Sequence, residues 1–193
     1  MQQIVHDVLI LGTGLAGLRA AIGMNLRTRG NIDIGLVSKV QIMRSHSVCA
    51  EGGTGAVMRP EEGDSLELHA WDTVKGSDFL GDQDVVDRFV SKSPDEIRLL
   101  DHWGVPWSRR SDGRIMQRPF GGHTFPRACM AADKTGFFEM QALYDTLQKF
   151  SRFSRYDEGF ITSLLLEQGR FAGLTMYDAP TGEFVLLRAK ALL

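Results

Sequence analysis

Ile4-Val5-His6-Asp7-Val8-Leu9-Ile10-Leu11-Gly12-Thr13-Gly14-Leu15-Ala16-Gly17 is the stretch on which the fold turns. Its first half is short, rich in β-branched residues and continuously apolar toward its end, the composition of a strand buried in a parallel sheet. A Gly-x-Gly-x-x-Gly follows without a gap. Leu18 to Arg29 then reads as a helix with Ala20, Ala21 and Gly23 on a packing face, and Ile32 to Val37 as a second apolar strand. Strand, glycine turn, helix and strand in register form a βαβ unit over residues 1–40, the context in which this motif holds a dinucleotide. Gly12 makes the tight turn, Gly14 lets the backbone approach a pyrophosphate, and Gly17 lets helix and strand pack closely. The phosphates rest at the positive N-terminus of the helix, beside Thr13, Leu15 and Ala16. The expected fold class is therefore α/β, a Rossmann-like parallel sheet with helices.

The second strand of such a unit often ends in Asp or Glu, which binds the ribose hydroxyls. Here it ends Val37-Ser38-Lys39. Ser38 can still hydrogen-bond a ribose, and Lys39 or Arg44 leaves a 2′-phosphate reading open.

The bulk numbers bound the rest. The chain has 193 residues, 43% apolar and 24% charged, enough to bury a core. A formal net charge of -2 is no footprint for nucleic acid. No apolar run approaches the roughly 20 residues that cross a bilayer, so no direct membrane insertion is expected. Met1-Gln2-Gln3-Ile4 shows no secretory signal, and two cysteines, Cys49 and Cys129, make no disulfide framework. These features point to a reducing, cytoplasmic setting.

After the second strand comes Arg44-Ser45-His46-Ser47-Val48-Cys49-Ala50-Glu51-Gly52-Gly53-Thr54-Gly55. His46, Cys49, His123 and Cys129 supply the ligand types of a zinc site, but in looser spacing than zinc sites show. A Ser-His nucleophile pair lacks its elbow motif. On composition, His46 is a polar loop residue. Gly52, Gly53 and Gly55 shift that balance, because they let backbone pass closely over a flat ligand. An imidazole beside a flat cofactor is also a fair nucleophile.

Taken together these segments resemble the N-terminal part of the flavoprotein subunit of succinate dehydrogenase and fumarate reductase. The likeness runs in order through Gly12–Ala21, Val37-Ser38-Lys39, Arg44-Ser45-His46-Ser47 and Ala50-Glu51-Gly52-Gly53. It continues through Asp72–Asp78, Gly81-Asp82-Gln83-Asp84, Gln117-Arg118-Pro119-Phe120-Gly121-Gly122 and Ala131–Gly136. The resemblance implies FAD, attached covalently at His46 through the flavin 8α-methyl, with Ser38 and Lys39 near the ribose. It implies that Ser45, Ser47, Glu51, Gly52 and Gly53 line the cofactor, and that Gly53 and Phe120 border a C4 dicarboxylate. L-aspartate oxidase is similar but lacks the histidine, so His46 discriminates between the two. Ser47 stands where the family usually has Thr, and Cys49, at a small-residue position, reads as packing. Glu51, Trp107-Ser108-Arg109-Arg110 and Ala131–Phe137 look more like fumarate reductases.

Farther on, Leu66–Gly76 reads as a helix with Leu66, Ala70, Trp71 and Val74 on one face. Gln83–Lys92 reads as another helix, and Ser93-Pro94-Asp95-Glu96 as the capped start of a third, stopped by Gly104. Asp82, Asp84 and Asp87 read as a solvated face, Gln117–Gly122 as a loop, and His123 is assigned no role. Asp133 or Thr135 caps a helix with the stripe Phe137, Met140, Tyr144 and Leu147. Three strands follow from Phe160, with turns at Gln168-Gly169 and Thr181-Gly182. The last strand is expected to return to the main sheet.

The expected layout is a single FAD-binding region: the βαβ unit (1–40), a flavin loop (41–60), a helical segment (64–150) and a β-meander (158–193). The resemblance further implies partners, an iron-sulfur subunit and membrane-anchor subunits, on the cytoplasmic side of the cell membrane. It places the substrate-binding arginines and histidines, and the proton donor, beyond Leu193. The chain is thus expected to be a truncated part of a larger flavoprotein, inactive alone. A non-catalytic nucleotide-binding module is the alternative from a different class.

Overall fold

The computed structural model describes residues 2–193, which divide into two compact units. The first comprises Met1–Val48 and Leu143–Leu193, the second Cys49–Ala142.

The first unit holds two four-stranded sheets. In one, β11 (Ala191–Leu192), β2 (Val8–Leu11), β3 (Ile34–Ser38) and β7 (Phe153–Asp157) lie in that order, all parallel. In the other, β1 (Gln2–Val5) runs parallel to β10 (Glu183–Arg188), which continues antiparallel to β9 (Arg170–Asp178) and β8 (Gly159–Glu167). Every residue of β3 is buried, as expected of a strand covered on both faces. Helix α1 (Leu15–Thr28) joins β2 to β3 and buries Leu18, Ala21, Ile22 and Asn25. Leu9, Val37, Leu174, Met176, Val185 and Leu187 form one core cluster drawn from both sheets.

The stretch from Ile4 to Leu11, read as one strand, is two strands in different sheets. The break falls at His6-Asp7, because these polar residues leave the ladder for specific partners. His6 Nδ1 lies 2.9 Å from the Asp33 carboxylate and Nε2 2.7 Å from the Tyr156 hydroxyl. The Asp7 carboxylate accepts from the Asp33 N–H and from Lys190 Nζ. The last strand likewise divides. Glu183–Arg188 stays in the meander, and Ala191–Leu192 pairs with β2 in the parallel sheet.

The second unit contains α2 (Leu66–Gly76), α3 (Gln83–His102) and a three-stranded sheet. That sheet has the order β4 (Thr54–Gly55), β6 (Ala128–Cys129) and β5 (Gln117–Arg118), so Gln117-Arg118 is strand rather than loop. Helix α4 (Thr135–Leu147) begins here. Ser65 caps α2 by accepting from Leu68 N–H, and Asp82 caps α3 by accepting from Asp84 and Val85. Asp82 therefore starts a helix as well as facing solvent.

Helix α3 corrects the reading of Ser93-Pro94 as a helix start: it runs unbroken for 20 residues with Pro94 inside. Val86, Val90, Ser93, Ile97 and Leu100 are buried at helical spacing, which holds it together. Proline has no N–H for the Val90 carbonyl, and the Ser93 hydroxyl donates to that carbonyl instead, at 3.2 Å. Helix α2 departs from its expected apolar face: its buried residues are His69 and Asp72, while Trp71 is exposed. On α4, Met140 and Leu147 are fully buried but Phe137 is 38% exposed.

Candidate cofactor site

The glycine turn sits at the C-terminal ends of β2 and β3, where open α/β sheets bind ligands. Gly12 N–H donates to the Val37 carbonyl, joining the turn to the end of β3. Gly12 has φ +114°, a conformation that side chains rarely adopt. A Cβ on Gly17 would lie 1.9 Å from the Gly12 carbonyl oxygen, so only hydrogen fits between helix and turn. Gly14 precedes α1 without a side-chain cap, and the first turn carries no acidic residue. The positive helix end is thus unopposed within its own turn.

Around this turn lies a cleft of about 500 Å³. It is lined by Leu11, Gly12, Thr13 and Gly14, by Val37, Ser38, Lys39 and Val40, by Ser45, His46 and Ser47, and by Gly159, Phe160 and Ile161. Leu15, Ala16 and Gly17 border an adjoining hollow with Ser47. Ser47 Oγ accepts from Leu15 N–H at 3.3 Å, pinning the histidine segment to the helix start. Ser45 and Ser38 are buried and His46 is exposed. His46 opens a short 3₁₀ turn, His46–Cys49, and its ring has no hydrogen-bond partner among the described residues.

The residues present fit a dinucleotide. The Thr13 hydroxyl is buried at the turn with no hydrogen-bond partner, a cost that a phosphate oxygen would remove. The glycine cradle leaves backbone approachable, and Ser38 and Lys39 lie in the cleft wall.

Glu51, Gly52, Gly53 and Phe120 belong to the second unit. Glu51 is exposed, and the Glu51 and Gly52 carbonyls accept from Arg118 Nη2 at 2.9 and 3.0 Å. Gly53, at φ +98°, approaches its neighbour so closely that a Cβ would lie 2.6 Å from the Cys129 carbonyl oxygen. A Cβ on Gly52 would lie 2.9 Å from Phe120 Cζ, so the ring covers that glycine. Cys49, read as packing, is exposed, because it lies at the end of a surface 3₁₀ turn. Cys129 is the buried thiol, pushed up to about 12 by burial. Among the described residues no three His, Cys, Asp or Glu side chains come together to hold a metal ion.

A charged cluster in this unit escaped the sequence reading. Arg127 is fully buried and donates to Asp64 through Nε and Nη2, and to Asp72 through Nη1 at 2.5 Å. Asp72 also accepts from Thr124 N–H and from its hydroxyl. Burial alone would raise the Asp72 carboxyl, but the bonds from Thr124 and Arg127 hold it below the usual carboxylate range. Burial, with the positive Arg127 nearby, pushes His69 down to about 4 and lowers His123 as well. Ion partners 55 and 63 residues apart leave no local signal. The one available cue is Asp64 and Asp72 at either side of a helix start.

No described helix is long and apolar enough to cross a membrane.

Comparison with known proteins agrees with this geometry. The FAD binding domain family matches residues 7–193. A fumarate reductase flavoprotein subunit of Mycobacterium tuberculosis is 47% identical over 97% of this chain and 32% of its own length. A succinate dehydrogenase flavoprotein subunit of Rickettsia bellii is 39% identical over 96% of this chain and 32% of its own. A solved E. coli quinol fumarate reductase variant superimposes with a TM-score of 0.94 at 45% identity, covering 100% of this chain and 32% of that one. The chain thus spans about a third of the length of these relatives. A nucleotide turn that only glycines can make, an unpaired buried threonine within it, and a family match over nearly every residue lead to one conclusion: the chain belongs to the FAD binding domain family.

Proposed function

We propose that this chain supplies the FAD-binding part of an enzyme interconverting succinate and fumarate, with His46 as the covalent attachment point. When bound, FAD supplies the two-electron acceptor for a hydride from the dicarboxylate. Gly12 to Gly17 hold the pyrophosphate, and Val37, Ser38 and Lys39 the ribose. Ser45 and Ser47 set His46 at the flavin, and Glu51, Gly52 and Gly53 pass along it. Gly53 and Phe120 border the dicarboxylate. Electrons leave to an iron-sulfur partner and quinone, with anchor subunits holding the assembly on the cytoplasmic face of the membrane.

The observation that carries this reading is the place of His46. It is an exposed, unpartnered imidazole on the rim of the nucleotide cleft, set beside α1 by the Ser47 bond to Leu15. An attached imidazole withdraws electrons from the flavin, which suits oxidation of a saturated C–C bond. Acid precipitation of the enzyme tests it: flavin absorbance stays with the pelleted protein and is lost from His46→Ser. Flavin that washes out of the unaltered protein would sink the covalent assignment and favour an aspartate-oxidase-like enzyme.

A further inference from the structure

Four rings run in sequence across the second unit. Phe89 of α3 meets His69 of α2 edge to face, centroids 5.6 Å apart at 67°. His69 meets His123 at 6.3 Å and 71°. His123 meets Phe120 at 6.1 Å and 55°, and Phe120 ends over Gly52. Such tilted pairs match the positive edge of one ring to the negative face of the next.

We propose that this ring ladder positions Phe120, so that His69 and His123 are positioning residues for the dicarboxylate site although neither touches it. The inference rests on the reading of Phe120 as the aromatic wall of that site.

The surroundings make the ladder a built feature. His69 is 2% exposed, yet its Nδ1 and that of His123 are buried without a hydrogen-bond partner. Unpaired nitrogens cost stability, so both imidazoles are held by ring contact rather than polar bonding. Asp72, one turn after His69 on α2, accepts twice from Thr124, the neighbour of His123. Helix α2 therefore grips the Phe120 loop at two adjacent points, one by charge-assisted hydrogen bonds and one by rings. Phe120 itself is 52% exposed, and its carbonyl accepts from His123 N–H at 3.1 Å. The groups facing the imidazoles are Arg127, Asp64 and Asp72. The guanidinium favours neutral rings, the form that stacks without repulsion.

The test uses the assembled enzyme carrying His123→Ala, His123→Phe or Phe89→Leu. Three measurements are made on each: amide hydrogen exchange across residues 119–124, steady-state kinetics with succinate, and acid-stable flavin. His123→Ala is expected to speed exchange and raise KM about tenfold, with kcat changed less than about twofold and flavin retained. His123→Phe restores a ring without nitrogens and should bring both quantities most of the way back. Phe89→Leu, at the far end of the ladder, should shift both in the same direction by less, and serves if the alanine variant fails to fold. Unchanged exchange in His123→Ala and Phe89→Leu overturns the ladder. A raised KM without faster exchange, or failure of phenylalanine to restore, means that His123 acts through its nitrogens, and also overturns it. Faster exchange at constant KM leaves the ladder standing and removes Phe120 from the dicarboxylate site.

Discussion

Gly17 shows how little room the nucleotide turn leaves. A methyl there would sit 1.9 Å from the Gly12 carbonyl, far inside contact distance, and both neighbours are backbone or packed strand. Gly17→Ala must therefore displace helix or turn, at a cost of about 3 kcal/mol or more. The expected outcome is a flavin-to-protein ratio at least tenfold lower, read from absorbance after purification. A ratio like that of the unaltered protein would refute the close-packing argument. Residues of this kind were legible in the sequence because their constraint is local: three glycines at fixed spacing answer to a turn a few residues long. His46 was legible as a position and became chemically specific only through family resemblance. Arg127 was not legible, since its meaning depends on two carboxylates more than 50 residues away. Cys49 misled because smallness suggests packing, whereas exposure is set by the whole chain.

Helix α3 carries the lesson at the scale of elements. Ser-Pro-x-Glu is a start signal when nothing precedes it, but here an apolar stripe runs through it without changing phase. Burial of Val90 on one side and Ile97 on the other outweighs the lost hydrogen bond. The Ser93 hydroxyl then satisfies the carbonyl that proline leaves. Ser93→Ala should lower stability by about 1–2 kcal/mol, by orphaning a buried acceptor. In a Pro94→Ala background the same change should cost well under half as much, because the backbone N–H returns. Thermal unfolding of the four proteins measures this, and additive losses would contradict it. The strand split at His6-Asp7 was hidden for a related reason. Alternation and β-branching report a strand's composition, not which of two sheets each half joins.

Across the whole molecule, the imidazoles beside Arg127 set a pH dependence. His69 titrates near 4 in the folded chain and near 6.5 when unfolded, so the unfolded state binds more protons between these values. Stability is therefore full above about pH 6.5 and falls as the pH drops toward 4, by on the order of 3 kcal/mol for this group alone. His123 shifts in the same direction and adds to the loss. The Asp72 carboxylate adds a further loss below its ordinary 3.8. Unfolding midpoints of the unaltered protein and His69→Phe between pH 7 and pH 4.5 should converge at the acid end, the variant losing less. Parallel curves would exclude His69 as a source. The division of the chain has a consequence in time. The second unit is one continuous stretch, Cys49–Ala142. In the first 48 residues, by contrast, β2 and β3 pair with each other, but their outer neighbours β11 and β7, and the partner β10 of β1, are all made after residue 150. The cleft around Thr13 and His46 is also walled by Gly159, Phe160 and Ile161. On the ribosome, the segment synthesised first is thus completed only after the second unit has been made, and the cofactor cradle waits for residues 153–192 to emerge.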